Sequence, residues 1–352
     1  MSVNGFEQVV AEPGERSGST VAVAVHSTRL GPALGGVRLW HYPRSRDAVA
    51  DAKRLASAMT LKAAAAGLEL GGGKGVIAAP QGEAPTGELR RALLLDFADL
   101  VESLGGSYVT AEDVGTGAAD MAAIAGRTDH VVGLDGSRGG SGDPSPITAL
   151  GVLAAIRACA AHRYGSRELH GLSACVLGIG HVGRRLAELL AEAGVELTLS
   201  DIDPSRRELA ERLGASWVEP ADAIAVECDL LAPCALGGLV DRAAAELLRA
   251  EIVCGAANNV LRSDDVAAQL AARGILYAPD FIANAGGLIS VYGELRRLPA
   301  QRALDLATGI EETLAEILAI ADGRSILPLD AARELADARL ERGAAALAPI
   351  PA

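Results

Sequence analysis

Ala174-Cys175-Val176-Leu177-Gly178-Ile179-Gly180-His181-Val182-Gly183 reads as a short buried strand running straight into a G-x-G-x-x-G turn. The residues beyond keep an apolar stripe at Val182, Leu186, Leu189, Leu190 and Ala193, the spacing of an amphipathic helix. A second apolar run, Leu197-Thr198-Leu199-Ser200, ends in Asp201, 23 residues past Gly178. Strand, glycine turn, helix, strand and acid in that order form a dinucleotide-binding fingerprint. Glycine permits the tight turn and lets backbone approach a pyrophosphate, while the helix N-terminus offers free N–H groups and positive potential. A carboxylate at Asp201 accepts from ribose hydroxyls and repels a 2′-phosphate, which favours NAD over NADP. Arg206 and Arg207 lie close by. They read either as a solvated helix face or as cations that soften that preference. The competing reading of the whole fingerprint is a glycine-rich turn without a ligand.

Outward from this stretch the pattern alternates. A helix begins near Gly151, strands at 174–177, 196–200 and 230–231 alternate with helices, and a further strand follows at 252–253. Such alternation predicts a parallel sheet with helices on both faces. The stretch Gly133 to Pro146, rich in Gly, Ser, Asp and Pro, reads as a linker. A chain of 352 residues is expected to hold two domains. Before the linker, Val21–Val25 reads as a buried strand and Gly31–Gly36 as a turn or loop. A helix is predicted from about Ser45 to Ala66, a short strand at Val76–Ala79, a helix at Leu89–Leu104 and a strand at Tyr108–Thr110. The last stretch, Gln301–Leu347, reads as helical with a break at Pro328.

Half the residues are hydrophobic but only 3% are aromatic, so Leu, Val, Ile and Ala must fill the cores. The net charge of −13 argues against nonspecific binding to nucleic acid or to an anionic membrane. No uninterrupted apolar run approaches membrane-spanning length. Residues 1–16 lack the apolar core of a signal peptide. Cys159, Cys175, Cys228, Cys234 and Cys254 show no C-x-x-C spacing and no histidine cluster beside them. Buried free thiols in a reducing cytoplasm, with no bound metal, are expected.

Two lysines stand in unusual surroundings. The predicted helix carries a stripe at Ala48, Ala52, Leu55 and Met59, and the next position on it is Lys62. Lys62 is either a snorkelling helix-end lysine or a ligand-facing one. Lys74 follows three glycines in Gly71-Gly72-Gly73-Lys74-Gly75. A P-loop is excluded, because Leu68 and Gly75 stand where that motif needs Gly and Ser or Thr. Two cations beside side-chain-free backbone could bind a carboxylate and depress one ammonium pKa, and a lysine kept neutral can act as a base. Asp113, at the end of the strand before Val114-Gly115-Thr116, reads as their proton partner or as a turn cap. Asn258-Asn259 and Asn284 suit hydrogen bonding to a nicotinamide or an amino acid, or simply form turns.

Taken in order, these stretches resemble the leucine, valine and phenylalanine dehydrogenase group of the Glu/Leu/Phe/Val amino-acid dehydrogenases. The motifs are G-P-A-L-G-G at 31–36, M-T-L-K at 59–62, G-G-G-K at 71–74, A-E-D-V-G-T at 111–116 and S-G-D-P-S-P at 141–146. G-I-G-H-V-G at 178–183, A-P-C-A-L-G-G at 232–238, A-A-N-N at 256–259 and N-A-G-G at 284–287 complete the series. The likeness spans about residues 20–340.

The resemblance implies an N-terminal α/β substrate-binding and oligomerisation domain at 1–138 and a Rossmann-type doubly wound NAD-binding domain at 139–329. A cleft would lie between them, and the C-terminal helices, about 330–352, would return to the first domain. The implied reaction is reversible oxidative deamination of an L-amino acid to its 2-oxo acid and ammonia by a homo-oligomer. By resemblance, Lys74 is the general base and Asp113 assists it. Lys62 and the backbone of Gly35 bind the substrate carboxylate, and Asn284 holds the amino-acid end. Thr148 and Asn259 position the nicotinamide, and Gly178, Gly180, His181, Val182, Gly183 and Asp201 hold the rest of NAD. Leu34, Ala111, Leu288 and Val291 would line an uncharged side-chain pocket, which favours a branched aliphatic substrate over glutamate. An aromatic substrate is the alternative, and a non-catalytic NAD sensor is the alternative of a different class.

Overall fold

Val21–Val25 sits inside a longer strand of a five-stranded sheet. The computed structural model describes residues 5–134, 140, 142–235 and 237–347. The chain forms two units, one of Met1–Asp143, Val291–Leu298 and Ala336–Ala352, the other of Pro144–Ser290 and Pro299–Leu335. The boundary expected between 138 and 139 lies outside the described residues, as do Ser141 and Leu236 of the quoted motifs.

In the first unit, β1 (Gln8–Pro13), β2 (Thr20–Ser27), β3 (Ala33–His41), β4 (Gly71–Ala79) and β5 (Tyr108–Glu112) lie in the order β1-β2-β4-β3-β5. β2 is antiparallel to β1 and β4, and β3 is parallel to β4 and β5. Strand alternation sends Val21, Val23 and Val25 into one core with Leu93, Phe97, Tyr108 and Met121. Ala24 points the other way, into a second core with Phe6, Ala48, Ala52, Ala56 and Val76. The helices are α1 (Ser45–Ala65), α2 (Gly87–Ser103) and α3 (Ala118–Ile124).

Three expectations are corrected here. Gly31–Gly36 is not all turn, because β3 begins at Ala33. The strand expected at 76–79 begins at Gly71, so the glycine run and Lys74 lie in a strand. The buried stripe of α1 is Ala48, Ala52, Ala56, Thr60 and Ala63, while Leu55, Met59 and Lys62 are only half-buried on its flank. The reason is close packing. A Cβ on Gly72 would lie 2.1 Å from the backbone nitrogen of Thr60 on α1. The helix can approach the sheet this closely only with small residues on its inner face.

Asp96 of α2 ties the β1–β2 turn to this core. Its buried carboxylate accepts from Arg16 N (3.1 Å), Arg16 Nη1 (2.9 Å), Ser17 N (2.9 Å) and Ser17 Oγ (2.7 Å). Burial works against the charge, but the hydrogen bonds from Ser17 and Arg16 outweigh it and hold the carboxyl below the usual carboxylate range. A lowered folded-state pKa contributes stability above the unfolded value of ~3.9 that is lost as pH falls through the folded one. Asp96→Ala is expected to cost about 3 kcal/mol at neutral pH, because it strands the donors it leaves behind. In urea unfolding, the gap to the parent chain should close below about pH 4.

In the second unit, β6 (Ser173–Leu177), β7 (Glu196–Ser200), β8 (Ser216–Trp217), β9 (Glu227–Pro233), β10 (Arg249–Val253) and β11 (Leu276–Tyr277) form an all-parallel sheet. Their order is β11-β10-β9-β6-β7-β8, so the chain reverses direction across the sheet between β6 and β9. Ligands of doubly wound folds bind at that switch point, beyond the carboxyl ends of the strands. Helix α4 (Ser145–Tyr164) packs on α5 (His181–Glu192) and on the helix Ile310–Arg324. By length and composition α4 is apolar enough to cross a membrane, but 67% of its apolar window is buried within the fold. Cys159, Cys175, Cys228 and Cys254 are buried free thiols, and Cys234 is half-buried.

Candidate active site

In the first unit the sheet brings Lys74 and Asp113 together. Lys74 is the fourth residue of β4 and only 4% exposed. Its Nζ lies 2.9 Å from Asp113 Oδ1, just past the end of β5. Burial pushes the Lys74 ammonium below its usual pKa, and the repulsion of Arg38 adds to this, against the attraction of Asp113. For Asp113, burial works upward, but the charges of Lys74 and Arg38 together hold its carboxyl below the ordinary range. Its backbone N–H donates to Thr116 Oγ1 at 2.9 Å, and that hydroxyl lies 2.9 Å from the carbonyl of Val37. The aspartate is therefore a fixed partner of the lysine as well as part of a turn.

Lys62 sits in the last turn of α1, where the helix C-terminus favours a cation. Gly35 on β3 has room for no side chain, since a Cβ there would lie 1.8 Å from the carbonyl oxygen of Gly73. Its own carbonyl accepts from the buried Tyr108 hydroxyl at 2.5 Å. Leu34 and Ala111 are buried on β3 and β5. Val291, half-buried, is grouped with this unit, whereas buried Leu288 belongs to the other.

In the second unit each fingerprint glycine has a separate task. Gly178 takes φ +98°, and a Cβ there would lie 2.6 Å from Ala235. A Cβ on Gly183 would lie 1.9 Å from the carbonyl oxygen of Gly178. Gly180, which caps α5, has open space beside it, the opening a pyrophosphate needs. His181 is exposed and Val182 half-buried in the first turn of α5. Asp201 follows β7, accepting from Ile179 N at 2.5 Å and from Asp203 N at 2.9 Å. The acid and the glycine turn are thus joined. Arg206 lies 3.4 Å from Asp203, and Arg207 pairs with Glu219 over the Trp217 ring.

Asn284 is buried, and its Nδ2 lies 2.8 Å from Asn258 Oδ1 and 3.2 Å from the carbonyls of Ala256 and Ala257. It therefore braces the loop that carries Asn259. Asn259 is exposed in the left-handed region at φ +51°, and its carbonyl accepts from Gly238 N. Thr148 on α4 lies against Gly286, where a Cβ would be 2.5 Å from its Cα. Its hydroxyl donates to the carbonyl of Pro144 at 2.9 Å.

Several residues of these surroundings escape a reading by motif. Arg38 bonds the outer oxygen of Asp113 at 2.9 Å, and Tyr108 holds Gly35. Ile202, next to Asp201, is 89% exposed, an apolar surface where a base ring could lie. Among the described residues, no group of three or more His, Cys, Asp and Glu side chains is placed to hold a metal.

Known proteins resemble this chain in both sequence and fold. Residues 8–130 match the family model of the Glu/Leu/Phe/Val dehydrogenase dimerisation domain, and residues 204–318 match that of the Glutamate/Leucine/Phenylalanine/Valine dehydrogenases. Residues 154–237 also match the NAD-binding domain of the D-isomer specific 2-hydroxyacid dehydrogenases. Leucine dehydrogenase of Bacillus subtilis is 42% identical over 96% of this chain and 92% of its own length. Valine dehydrogenase of Streptomyces virginiae is 42% identical over 96% of this chain and 94% of its own. The crystal structure of L-tryptophan dehydrogenase from Nostoc punctiforme superposes with a TM-score of 0.86 at 37% identity, covering 96% of this chain and 97% of that one. Likeness at this level, running through both units, means that the chain belongs to the Glu/Leu/Phe/Val dehydrogenase family, enzymes that use a nicotinamide cofactor.

Proposed function

We propose that this chain is an NAD-dependent L-amino-acid dehydrogenase that reversibly deaminates an apolar substrate, leucine or valine before others, to the 2-oxo acid and ammonia. The observation that carries the reading is a lysine 4% exposed, paired with an aspartate at 2.9 Å, on the sheet that also carries Gly35. The named leucine and valine dehydrogenases that resemble the chain support the substrate class.

When bound, NAD accepts the hydride that leaves the substrate Cα. The chain's own groups do the rest. Lys62 and the backbone of Gly35 hold the substrate carboxylate, and Asn284 the amino-acid end. Loss of hydride turns the amine into an iminium. Neutral Lys74 takes a proton from water as the water oxygen bonds to that carbon, and Asp113 steadies the ammonium formed. Lys74 then passes that proton to the amino nitrogen, the C–N bond breaks as the hydroxyl proton returns to Lys74, and ammonia and the 2-oxo acid are released. Leu34, Ala111, Leu288 and Val291, the pocket residues implied by the resemblance, are all aliphatic, so a distal carboxylate would find no cation among them.

Asp201 favours NAD over NADP, since Arg206 and Arg207, the cations that would welcome a 2′-phosphate, already pair with acids. Thr148 and Asn259 would position the nicotinamide, and the exposed Ile202 would offer an apolar surface to the adenine. Gly180→Val should leave the melting temperature unchanged, because a Cβ there meets nothing, yet weaken NAD binding at least ~10-fold by filling the pyrophosphate's place. Unchanged affinity by fluorescence titration would count against this placement. The description of the matched N-terminal family model supports a homo-oligomer. A cytoplasmic site of action goes with the free thiols.

The test is NADH absorbance with a panel of L-amino acids. Fastest turnover with leucine or valine supports the reading. Preference for tryptophan or phenylalanine moves it to the aromatic class. NAD binding without NADH formation from any amino acid would make the chain a sensor.

A further inference from the structure

Two cations converge on the carboxylate of Asp113. Lys74 Nζ meets Oδ1 and Arg38 Nε meets Oδ2, each at 2.9 Å. Arg38, on β3, reaches onward to Asp51 of α1, with Nη1 3.1 Å from Oδ2. Asp51 also accepts from the Tyr42 hydroxyl at 2.7 Å and from Arg54 Nη2 at 2.6 Å. Charges of alternating sign therefore run from Lys74 through Asp113, Arg38 and Asp51 to Arg54. The side chains of Arg38 and Asp51 are only 21% and 17% exposed, so water screens this row weakly.

We propose that Arg38 is a positioning residue for the Lys74–Asp113 pair: it fixes the outer oxygen of Asp113, leaving the inner one for Lys74, and Asp51 fixes Arg38. The proposal rests on Lys74 being the base. A carboxylate with one partner can turn about its Cβ–Cγ bond. A second charge-assisted bond on the other oxygen removes that freedom. The backbone of Asp113 is already held by Thr116, so side-chain rotation is the freedom left to control.

Charge adds a sign that simple scaffolding lacks. The groups acting on Lys74 are Asp113 past β5, Arg38 on β3 and Asp51 on α1. On β2 its register partner is Ala24, which is uncharged, and the Tyr108 hydroxyl of β5 is turned to Gly35. Tyr42 donates to Asp51 and Arg54 pairs with it. Arg38 disfavours the ammonium form of Lys74, and Asp51 favours it. Removing Arg38 should raise the Lys74 pKa, and removing the charge of Asp51 should lower it.

The chain has three lysines, Lys53, Lys62 and Lys74. Lysine labelled with 13C at Cε thus gives three side-chain signals in the full-length protein, with Lys74→Met assigning the one of interest. In Arg38→Met, kcat should fall about tenfold with amino-acid KM changed less than about threefold. The Lys74 titration and the rising limb of the pH–rate profile should both move up by about half a unit or more. Asp51→Asn should move both down, with a smaller loss of kcat. Arg38→Lys keeps the charge and should return the titration toward that of the parent, but not kcat, because an ammonium cannot span both carboxylates.

Unchanged kcat and titration in Arg38→Met, or shifts of the same sign in Arg38→Met and Asp51→Asn, would overturn the proposal. If Arg38→Met does not fold, Asp51→Asn decides: a downward shift supports the proposal and no shift overturns it. If the parent chain makes no NADH from any amino acid, the functional reading fails, while the lysine titrations still decide the role of Arg38.

Discussion

Lys74→Ala is expected to lose about 10³-fold in turnover while still binding NAD, because it removes the group that takes the proton from water. Since burial lowers the Lys74 pKa, activity in the parent should rise with pH as Lys74 gives up its proton, at a midpoint below that of an ordinary lysine. That limb should vanish from the residual rate of Lys74→Ala. The loss should appear in kcat and kcat/KM alike, the pattern of a group acting in the transition state. Near-normal turnover with an unchanged pH profile would remove Lys74 from the mechanism, and Asp113 with it.

Gly72→Val is expected to destabilise the chain by about 3 kcal/mol or more. A Cβ there would lie 2.1 Å from the Thr60 nitrogen and 2.5 Å from its Cα, both backbone atoms of a helix that cannot rotate out of the way. The helix must shift or the strand must bend. Lys62 is two residues beyond Thr60, so a folded Gly72→Val protein should also show a raised amino-acid KM. Thermal unfolding and steady-state kinetics check the two effects. An unchanged melting temperature would mean that α1 does not depend on the glycine run.

These two predictions mark where the sequence was readable. The nucleotide-binding unit was legible because its signals are local: Gly178, Gly180 and Gly183 fall in one turn, and Asp201 meets that turn through Ile179 N. Its two-residue strands Ser216–Trp217 and Leu276–Tyr277 were not, being too short to show a period. In the first unit glycine misled. Gly35 and Gly36 read as turn or loop, and Gly71–Gly73 fell before the expected strand, yet all lie in strands where neighbouring backbone and rings leave no room for a Cβ.

Lys74 and Asp113 stood out through unusual neighbours, and the sheet brings them to 2.9 Å. Arg38 and Asp51 gave no such sign. A lone arginine in a strand and an aspartate in a charged helix turn look like surface residues, and only the register of β3 beside the end of β5 joins them to Asp113. On α1 the alanines hid the buried stripe, because alanine serves equally well inside and outside a helix.

In the proposed reaction the chain removes an amino group by hydride loss and Lys74-assisted hydration. Incubation with L-leucine and NAD, followed by assay of NADH, ammonia and 2-oxo acid in the same sample, tests it most directly. The three products should form in equal amounts, all suppressed together in Lys74→Ala. NADH without ammonia, or NAD binding with none of the three products from any amino acid, would contradict it.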